Sequence, residues 1–452
     1  MSVLDESFET DKERILKEWK TLLSFPSIST DSTHHPDCLA CADWLRDHLN
    51  GIGFQAELLE TDGKPVVFAE RKGAEDAPTI LFYGHYDVQP VDPVEAWDSP
   101  PFTPTLVDGR MVARGAQDNK GQHFYVLKAL EHLIKTEALT PTVKVFLEGE
   151  EECGSTGITA CMPNWKDKLK SDILLVTDLG MTSPTQPTLT MSLRGIIHMT
   201  VELSGPRTDL HSGMHGGLAP NPATAMCRLL ASLHNDDGSI AVSNFYDGIL
   251  PVSPTEKTLA DAMAFDVETY KRNTGVEPVG GEADKTPVER LGLRPALDCN
   301  GLHSGFNGEG SKTIIPAHAR AKLTARIAAG QDPQQCLTAL INHLHTHSPK
   351  GLTLKISDEG VGGVGLRLDP SSELISRGKT IADTLTDNDA IYRWEGASIP
   401  VIADLAAVAE AEPLMVGFGC EEDNIHAPNE SFSIERFHMG YTFAKRFFQS
   451  FD

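Results

Sequence analysis

Acidic and histidine side chains recur at the ends of apparent strands in this chain. The run "TILFYG" leads into His85-Tyr86-Asp87, "GAQDNKG" carries Asp118, and "DILLVTD" ends on Asp178. "LEGEEECGS" sets Glu148, Glu150, Glu151 and Glu152 directly after another apolar run, and "NIHAPNE" offers His426 in a turn-like setting. Like charges so close repel and prefer water, so a solvated loop is one reading of the glutamate run. A strongly positive partner is the other. Along an extended segment alternate side chains share a face, which projects His85 and Asp87 to one side about 6.6 Å apart. His, Asp and Glu gathered at one rim form the ligand set of zinc or manganese. One dication, or better two, would neutralise carboxylates that otherwise have no reason to cluster.

Such a rim needs strands that end together. Residues 10–24 have helical spacing through Ile15, Leu16, Trp19, Leu22 and Leu23, and a second helix over 37–50 stops near Gly51. "PVVFAER" and "PTILFYG" read as strands, "GQHFYVLKALEHLIKT" as a helix, and "TVKVFLEG" and "DILLVTD" as further strands. Strands alternating with helices predict an α/β fold with a mostly parallel sheet and helices on both faces. Parallel-sheet enzymes use the carboxyl ends of their strands for chemistry. From about residue 190 the texture changes. "GIIHMTVELSG", "AHARAKLTARI" and "LTLKISD" alternate apolar and polar like one-sided strands around the helical "NPATAMCRLLASLH". The expected organisation is a catalytic domain over 1–190 and 363–452, interrupted by an inserted α+β domain over 191–362.

The 452 residues suffice for two or three well-buried domains, and 39 Lys+Arg against 64 Asp+Glu give a net charge of −25. So acidic a surface disfavours nucleic acid and anionic membranes as partners. The first twenty residues are charged and lack the apolar core of a signal peptide, and no run of about 18 apolar residues appears, so a cytoplasmic protein is expected. Eight cysteines are scattered along the chain without a disulfide pattern. Cys38 and Cys41 form a C-x-x-C inside a helical stretch, with no second pair or nearby histidines to complete a zinc site, and read as packing residues.

"GHYDVQPV", "DGRMVARGAQDNKG", "LEGEEECGS", "DLHSGMHGG", "GSKTIIP" and "NIHAPNE", in this order, resemble the co-catalytic di-zinc metallopeptidases. That family includes carnosine dipeptidases, aminoacylases and succinyl-diaminopimelate desuccinylases. The likeness covers nearly the whole chain, and "DLHSGMHGG" with "EGEEECGS" is closest to the cytosolic nonspecific dipeptidase branch. It implies that Asp118 bridges two metals, that His85 and Asp178 hold one, and that Glu152 and His426 hold the other. Glu151 is then the general base and acid, and Asp87 orients His85. His211 in the inserted domain would polarise the scissile carbonyl. Thr313, Arg326 and Ser398 match substrate-contacting positions, with Arg326 as the carboxylate clamp. Glu150 falls where the pattern requires no acid and reads as solvated or supporting, and Glu148 as pointing away from the metals. The resemblance also implies a homodimer formed through the inserted lid domain, with His211 and Thr313 donated to the neighbouring subunit's site. One departure stands out: "DEGVGGVGLRL" lacks the lid histidine of family dipeptidases, which bears on substrate preference rather than on the hydrolytic groups.

The expected function is metal-dependent hydrolysis of dipeptides or short peptides with a free C-terminal carboxylate, with two divalent ions per subunit, zinc foremost and manganese or cobalt as alternatives. An N-acyl-amino-acid amidohydrolase would use the same centre on another acyl group. A non-catalytic peptide-binding protein is the rival from another class.

Overall fold

The structure is a computed structural model describing residues 4–263, 265–397, 399 and 401–451. The chain divides into two compact units, one of residues 1–191, 368–393 and 401–452, the other of residues 192–367 and 394–400.

In the first unit the apolar runs become a six-stranded sheet in the order Gln55–Leu59, Val66–Arg71, Thr142–Glu148, Thr79–His85, Ile173–Val176, Glu412–Met415. The last four strands are mutually parallel, as the alternation of strands and helices predicts. The first two form an antiparallel edge, joined through the loop that holds Asp62-Gly63. Ile80 to His85 are all buried, as are Val143 to Glu148, which is why these strands read as continuous apolar stretches rather than alternating ones. Helix Lys120–Lys135 packs on strand Thr79–His85 and against helices Glu6–Leu23 and Ile434–Gln449. Trp19 and Phe437 seal that junction with ring centroids 4.7 Å apart. Cys38 and Cys41 are free and buried on helix His35–Gly51, where they pack.

Parallel pairing fixes the rim. His85 lies opposite Glu148 and Tyr83 opposite Val176, so the carboxyl ends of the three central strands finish side by side. Whatever follows each strand emerges at one edge of the sheet.

The second unit is built on a four-stranded antiparallel sheet in the order Ala296–Ser304, His318–Ile327, Gly195–Ser204, Thr353–Gly362. Strand His318–Ile327 shows why its sequence alternates: Ala319, Ala321, Leu323 and Ala325 are buried, whereas His318, Arg320 and Lys322 are exposed. Helices Pro222–Ala231 and Pro333–Thr346 share its core through Met226, Leu229, Leu337 and Leu340. Glycines in the 360–365 stretch are sterically required. A Cβ on Gly365 would meet the Ala329 backbone nitrogen at 2.7 Å, and one on Gly362 the Ile196 side chain at 2.7 Å.

Candidate metal centre

His85 ends its strand with a side chain shielded from solvent, and its ring is held from one side. Nδ1 lies 3.4 Å from the Asp87 carboxylate and 3.1 Å from the Asp87 carbonyl. Nδ1 therefore donates, which leaves the Nε2 lone pair free to ligate. Nε2 faces Asp118 Oδ1 at 3.1 Å and Asp178 Oδ2 at 3.6 Å. The other oxygen of Asp118, Oδ2, faces His426 Nε2 at 2.9 Å, and the same nitrogen is 3.4 Å from Glu152 Oε1. Two three-residue sets result, His85/Asp118/Asp178 and Asp118/Glu152/His426, each with donor atoms within 4.8 Å of one another. They share Asp118, one oxygen to each. Donors about 2.1 Å from a tetrahedral ion stand about 3.4 Å apart, which is the scale of these separations.

Electrostatics supports a missing positive charge. Burial, reinforced by Asp118, pushes the Glu152 carboxyl up to about 7, and burial likewise raises Asp178. Glu151 is driven well above the carboxylate range by burial, with Asp178, Glu152 and Asp118 adding to it. Burial would lower His85, yet the surrounding aspartates, Asp178 foremost, raise it well above an ordinary imidazole. His426 is raised to about 10, first by its hydrogen bond to Asp118 and then by that to Glu152. Protons are thus held where two dications would sit. A third cluster makes the contrast. Glu18, His48 and Glu131 also converge, but the Lys128 ammonium lies 2.5 Å from Glu18, 2.8 Å from His48 and 2.8 Å from Glu131. That cluster already contains its cation. Among the described residues, the ion pairs of Asp118, Asp178 and Glu152 are with histidines alone. The donor set, its spacing and its uncompensated charge fit a pair of divalent ions.

The glutamate run is not solvated. Glu148 is fully buried, accepts a hydrogen bond from the Tyr83 hydroxyl at 2.7 Å, and is raised to about 8 by burial and then by Asp87. Glu150 is buried too, wedged so tightly between Gly63 and Gly157 that a Cβ on either would collide with its carboxyl. The solvated reading of Glu150 is overturned, because the turn after the strand folds back under the 61–64 loop. Glu151 and Glu152 open a short helical turn, Glu151–Cys153, whose backbone is pinned by Asp87: its carboxylate accepts from the Glu152 N–H at 3.0 Å and the Glu151 N–H at 3.3 Å. One carboxylate therefore sets both the His85 ring and the glutamate turn.

Two amides escaped the sequence reading. Gln89 donates to Glu152 Oε2 at 2.7 Å, and Asn119 donates to Asp178 Oδ1 at 2.9 Å. Each fixes a carboxylate without adding charge. Their only signal in the sequence is position, next to "HYDV" and immediately after Asp118.

The second unit places His211 on the short strand Leu210–His211, paired with Ile314–Ile315, so that the Ser212 N–H donates to the Thr313 carbonyl at 3.0 Å. His211 and Thr313 are thus neighbours, both exposed. His211 Nδ1 accepts from the Gly213 N–H at 3.0 Å, which puts the proton of the neutral ring on Nε2 and makes that nitrogen a donor. Arg326 is half-buried on strand His318–Ile327, with burial lowering its pKa and Asp298 countering. Ser398 lies outside the described residues.

Comparison with known proteins agrees with this chemistry. The chain is 29% identical over 453 residues to a Beta-Ala-His dipeptidase of Rattus norvegicus, covering 96% of this chain and 91% of the relative. It is 26% identical over 458 residues to the Cys-Gly metallodipeptidase dug1 of Schizosaccharomyces pombe, covering 97% and 95%. A solved structure of the M20 family metallo-carboxypeptidase Sso-CP2 from Sulfolobus solfataricus superposes with a TM-score of 0.85 at 28% identity, over 96% of this chain and 98% of that one. Residues 81–450 match the family described as peptidase family M20/M25/M40, and the chain belongs to that family.

Proposed function

We propose that this protein hydrolyses dipeptides or short peptides bearing a free C-terminal carboxylate, using two divalent metal ions. The observation that carries the reading is Asp118, whose two oxygens face two separate ligand sets that, among the described residues, have no lysine or arginine in their ion pairs. His85 and Asp178 would hold one ion, Glu152 and His426 the other, and Asp118 both. Bound there, such ions supply Lewis acidity that polarises the scissile carbonyl and acidifies the attacking water. Glu151 takes the water's proton and returns it to the leaving amine, a role suited to a carboxyl whose proton affinity burial has raised. Asp87 keeps the His85 ring and the glutamate turn in place. His211, with its proton on Nε2, donates to the oxyanion that forms on the substrate, and Arg326 pairs with the substrate carboxylate. Thr313, beside His211, and Ser398 complete the substrate contacts.

Imidazole and carboxylate donors suit zinc best, with manganese and cobalt close behind. The inserted unit serves as lid and dimerisation domain over about 191–362. Its sheet ends in two edge strands, Ala296–Ser304 and Thr353–Gly362, with backbone groups available for pairing. Eight free cysteines fit a reducing cytoplasm, and no helix among the described residues is long and apolar enough to cross a membrane. The named relatives support dipeptides as substrates. Likeness to a metallo-carboxypeptidase supports a second reading, removal of C-terminal residues from longer peptides by the same centre.

The test is elemental analysis followed by turnover on a panel of dipeptides, tripeptides, longer peptides, and N-acetyl and N-succinyl amino acids. Two ions per chain and dipeptide cleavage that is lost on chelation and restored by zinc, manganese or cobalt are expected. Full activity in metal-free protein would end the reading, and preference for N-acyl amino acids would shift it to the amidohydrolase alternative.

A further inference from the structure

Asp118 and His426 stand 308 residues apart in sequence, yet their side chains meet at 2.9 Å. Neither sits in a regular element, and His426 has the left-handed backbone φ of 59° in a loop where Asn424 and Asn429 are also left-handed. Something must hold two irregular segments in register. The strand Ser431–Ser433 pairs antiparallel with Arg110–Val112, and the ladder continues by one bond, from the Ala113 N–H to the Glu430 carbonyl at 3.0 Å. Beyond that bond the backbone pairing stops and the Glu430 side chain takes over. Its Oε2 accepts from the Arg114 guanidinium at 2.8 Å and the Gly115 N–H at 2.9 Å. Its Oε1 accepts from the Gln117 and Asp118 N–H groups at 3.0 Å each. Four donors fill the carboxylate, and Glu430 is wholly buried. Arg114 is buried as well and is anchored in turn by the Pro90 carbonyl at 2.8 Å. On the His426 side, Asn429 grips the chain at Ala96 and Asp98.

We propose that Glu430 is a positioning residue for the metal centre: it ties the backbone that presents Asp118 to the segment that presents His426, four residues upstream of it. The inference rests on the two-metal reading above. Glu430 makes no hydrogen bond to a candidate ligand atom: it holds Asp118 by the backbone N–H, so its hydrogen bonds act through backbone placement. Asp118 belongs to both ligand sets but His426 to one, so loosening the strap must weaken the Glu152/His426 set most. Glu430→Gln replaces one acceptor oxygen with an NH₂ group facing N–H donors and leaves Arg114 without its counter-charge. Arg114→Met removes one donor and keeps the three backbone bonds.

The experiment titrates metal-free wild type, Glu430→Gln and Arg114→Met with Zn²⁺ against a chromophoric chelator. Co²⁺ absorption follows the coordination of each successive equivalent, and metal-free melting curves report folding. Leu133→Ala, a core truncation in helix Lys120–Lys135, serves as a control for plain destabilisation. The expected result is two tight Zn²⁺ sites in wild type and in Leu133→Ala. In Glu430→Gln one site should weaken about 10- to 100-fold while the other holds within a few-fold. Arg114→Met should fall between, and decides the matter if Glu430→Gln fails to fold. Two wild-type affinities in the folded variant, or equal weakening of both sites, would overturn the inference alone. Fewer than two ions on wild type would overturn the metal reading and this inference with it.

Discussion

Removing the metal and scanning pH tests the site through its protons. Burial first, and Asp87 second, raise Glu148 from 4.5 to about 8. Burial and Asp118 raise Glu152 from 4.5 to about 7. Hydrogen bonds to Asp118 and Glu152 raise His426 from 6.5 to about 10. A group whose folded pKa exceeds its unfolded value stabilises the fold fully below the unfolded pKa, and that contribution is lost as pH climbs to the folded pKa. For Glu148 the loss runs from 4.5 to about 8, for Glu152 from 4.5 to about 7, and for His426 from 6.5 to about 10. Two buried histidines act oppositely below this range: burial holds His48 near 4 and His123 near 3, so both favour the fold as pH rises to 6.5 and are silent above it. The clean window is therefore pH 6.5 to 8, where Glu148, the end of the Glu152 titration and His426 all act in one direction. Over that span of 1.5 pH units, at about 1.36 kcal/mol per unit, buried Glu148 loses about 2 kcal/mol, and half-exposed His426, screened by solvent, adds a smaller loss of the same sign. Chelated protein should melt a few degrees lower at pH 8 than at pH 6.5, at roughly 1–2 °C per kcal/mol for units of this size. Metal loading demands deprotonated carboxylates and neutral imidazoles, so it displaces the protons of Glu152 and His426, and the gap between loaded and chelated melting points should widen over the same range. Scanning calorimetry of both forms at constant ionic strength reads this directly. A chelated melting point that is flat or rising between pH 6.5 and 8 would refute the proton affinities of these groups, and a narrowing gap would refute the assignment of Glu152 and His426 to a cation site.

Glu151→Gln should retain both ions by elemental analysis while turnover falls about 10²–10⁴-fold. Glu150→Gln should keep turnover but lower the melting point, because its carboxyl is wedged between Gly63 and Gly157; a dead Glu150→Gln with both metals present would move the base by one residue. C-terminally amidated dipeptides should be poor substrates, and Arg326→Ala should narrow the difference between free and amidated forms; equal wild-type rates on both would remove the clamp. His211→Ala should bind metal normally and lose activity, and mixing it with Glu151→Gln should restore part of the activity through heterodimers. A dead mixture after verified subunit exchange would exclude donation between subunits.

The central strands were legible because burial on both faces leaves an unbroken apolar run, and "TILFYG", "VKVFL" and "ILLV" are such runs. Parallel pairing then brings their ends together, which is why ligands could be sought there. The antiparallel edge was not legible: Asp62-Gly63 is a hairpin signal, but Gln55–Leu59 carries three polar or small residues in five and does not stand out as a strand beside it. Nor was the burial of Glu148 and Glu150. Local composition argues for water around four acids, and only tertiary folding supplies Tyr83 and the narrow slot between two glycines. Gln89, Asn119 and Glu430 were missed for a related reason. An amide or a lone acid next to a motif is uninformative until the group it holds is known.

The cluster around Lys128 explains why the acids at the rim take the form they do. Glu18, His48 and Glu131 offer the same donor types at similar spacing, and the chain neutralises them with its own ammonium, reinforced by Arg14 at 3.0 Å from Glu131. An internal lysine is the simpler solution when the task is to join helices Glu6–Leu23 and Lys120–Lys135, since it needs no supply from solution and locks the contact. It is unsuited to hydrolysis: an ammonium spends its hydrogens on the carboxylates around it and has no open position for a substrate oxygen. Lys120, two residues after Asp118, instead donates to the Phe25 carbonyl at 2.7 Å. Among the described residues, Asp118, Asp178 and Glu152 form ion pairs with imidazoles, which can give up their protons and become ligands. Charge left uncompensated by the chain, at the aligned ends of parallel strands and beside a carboxyl able to carry a proton, is the feature that separates a site for exchangeable cations from a structural ion pair made of nearly the same residues.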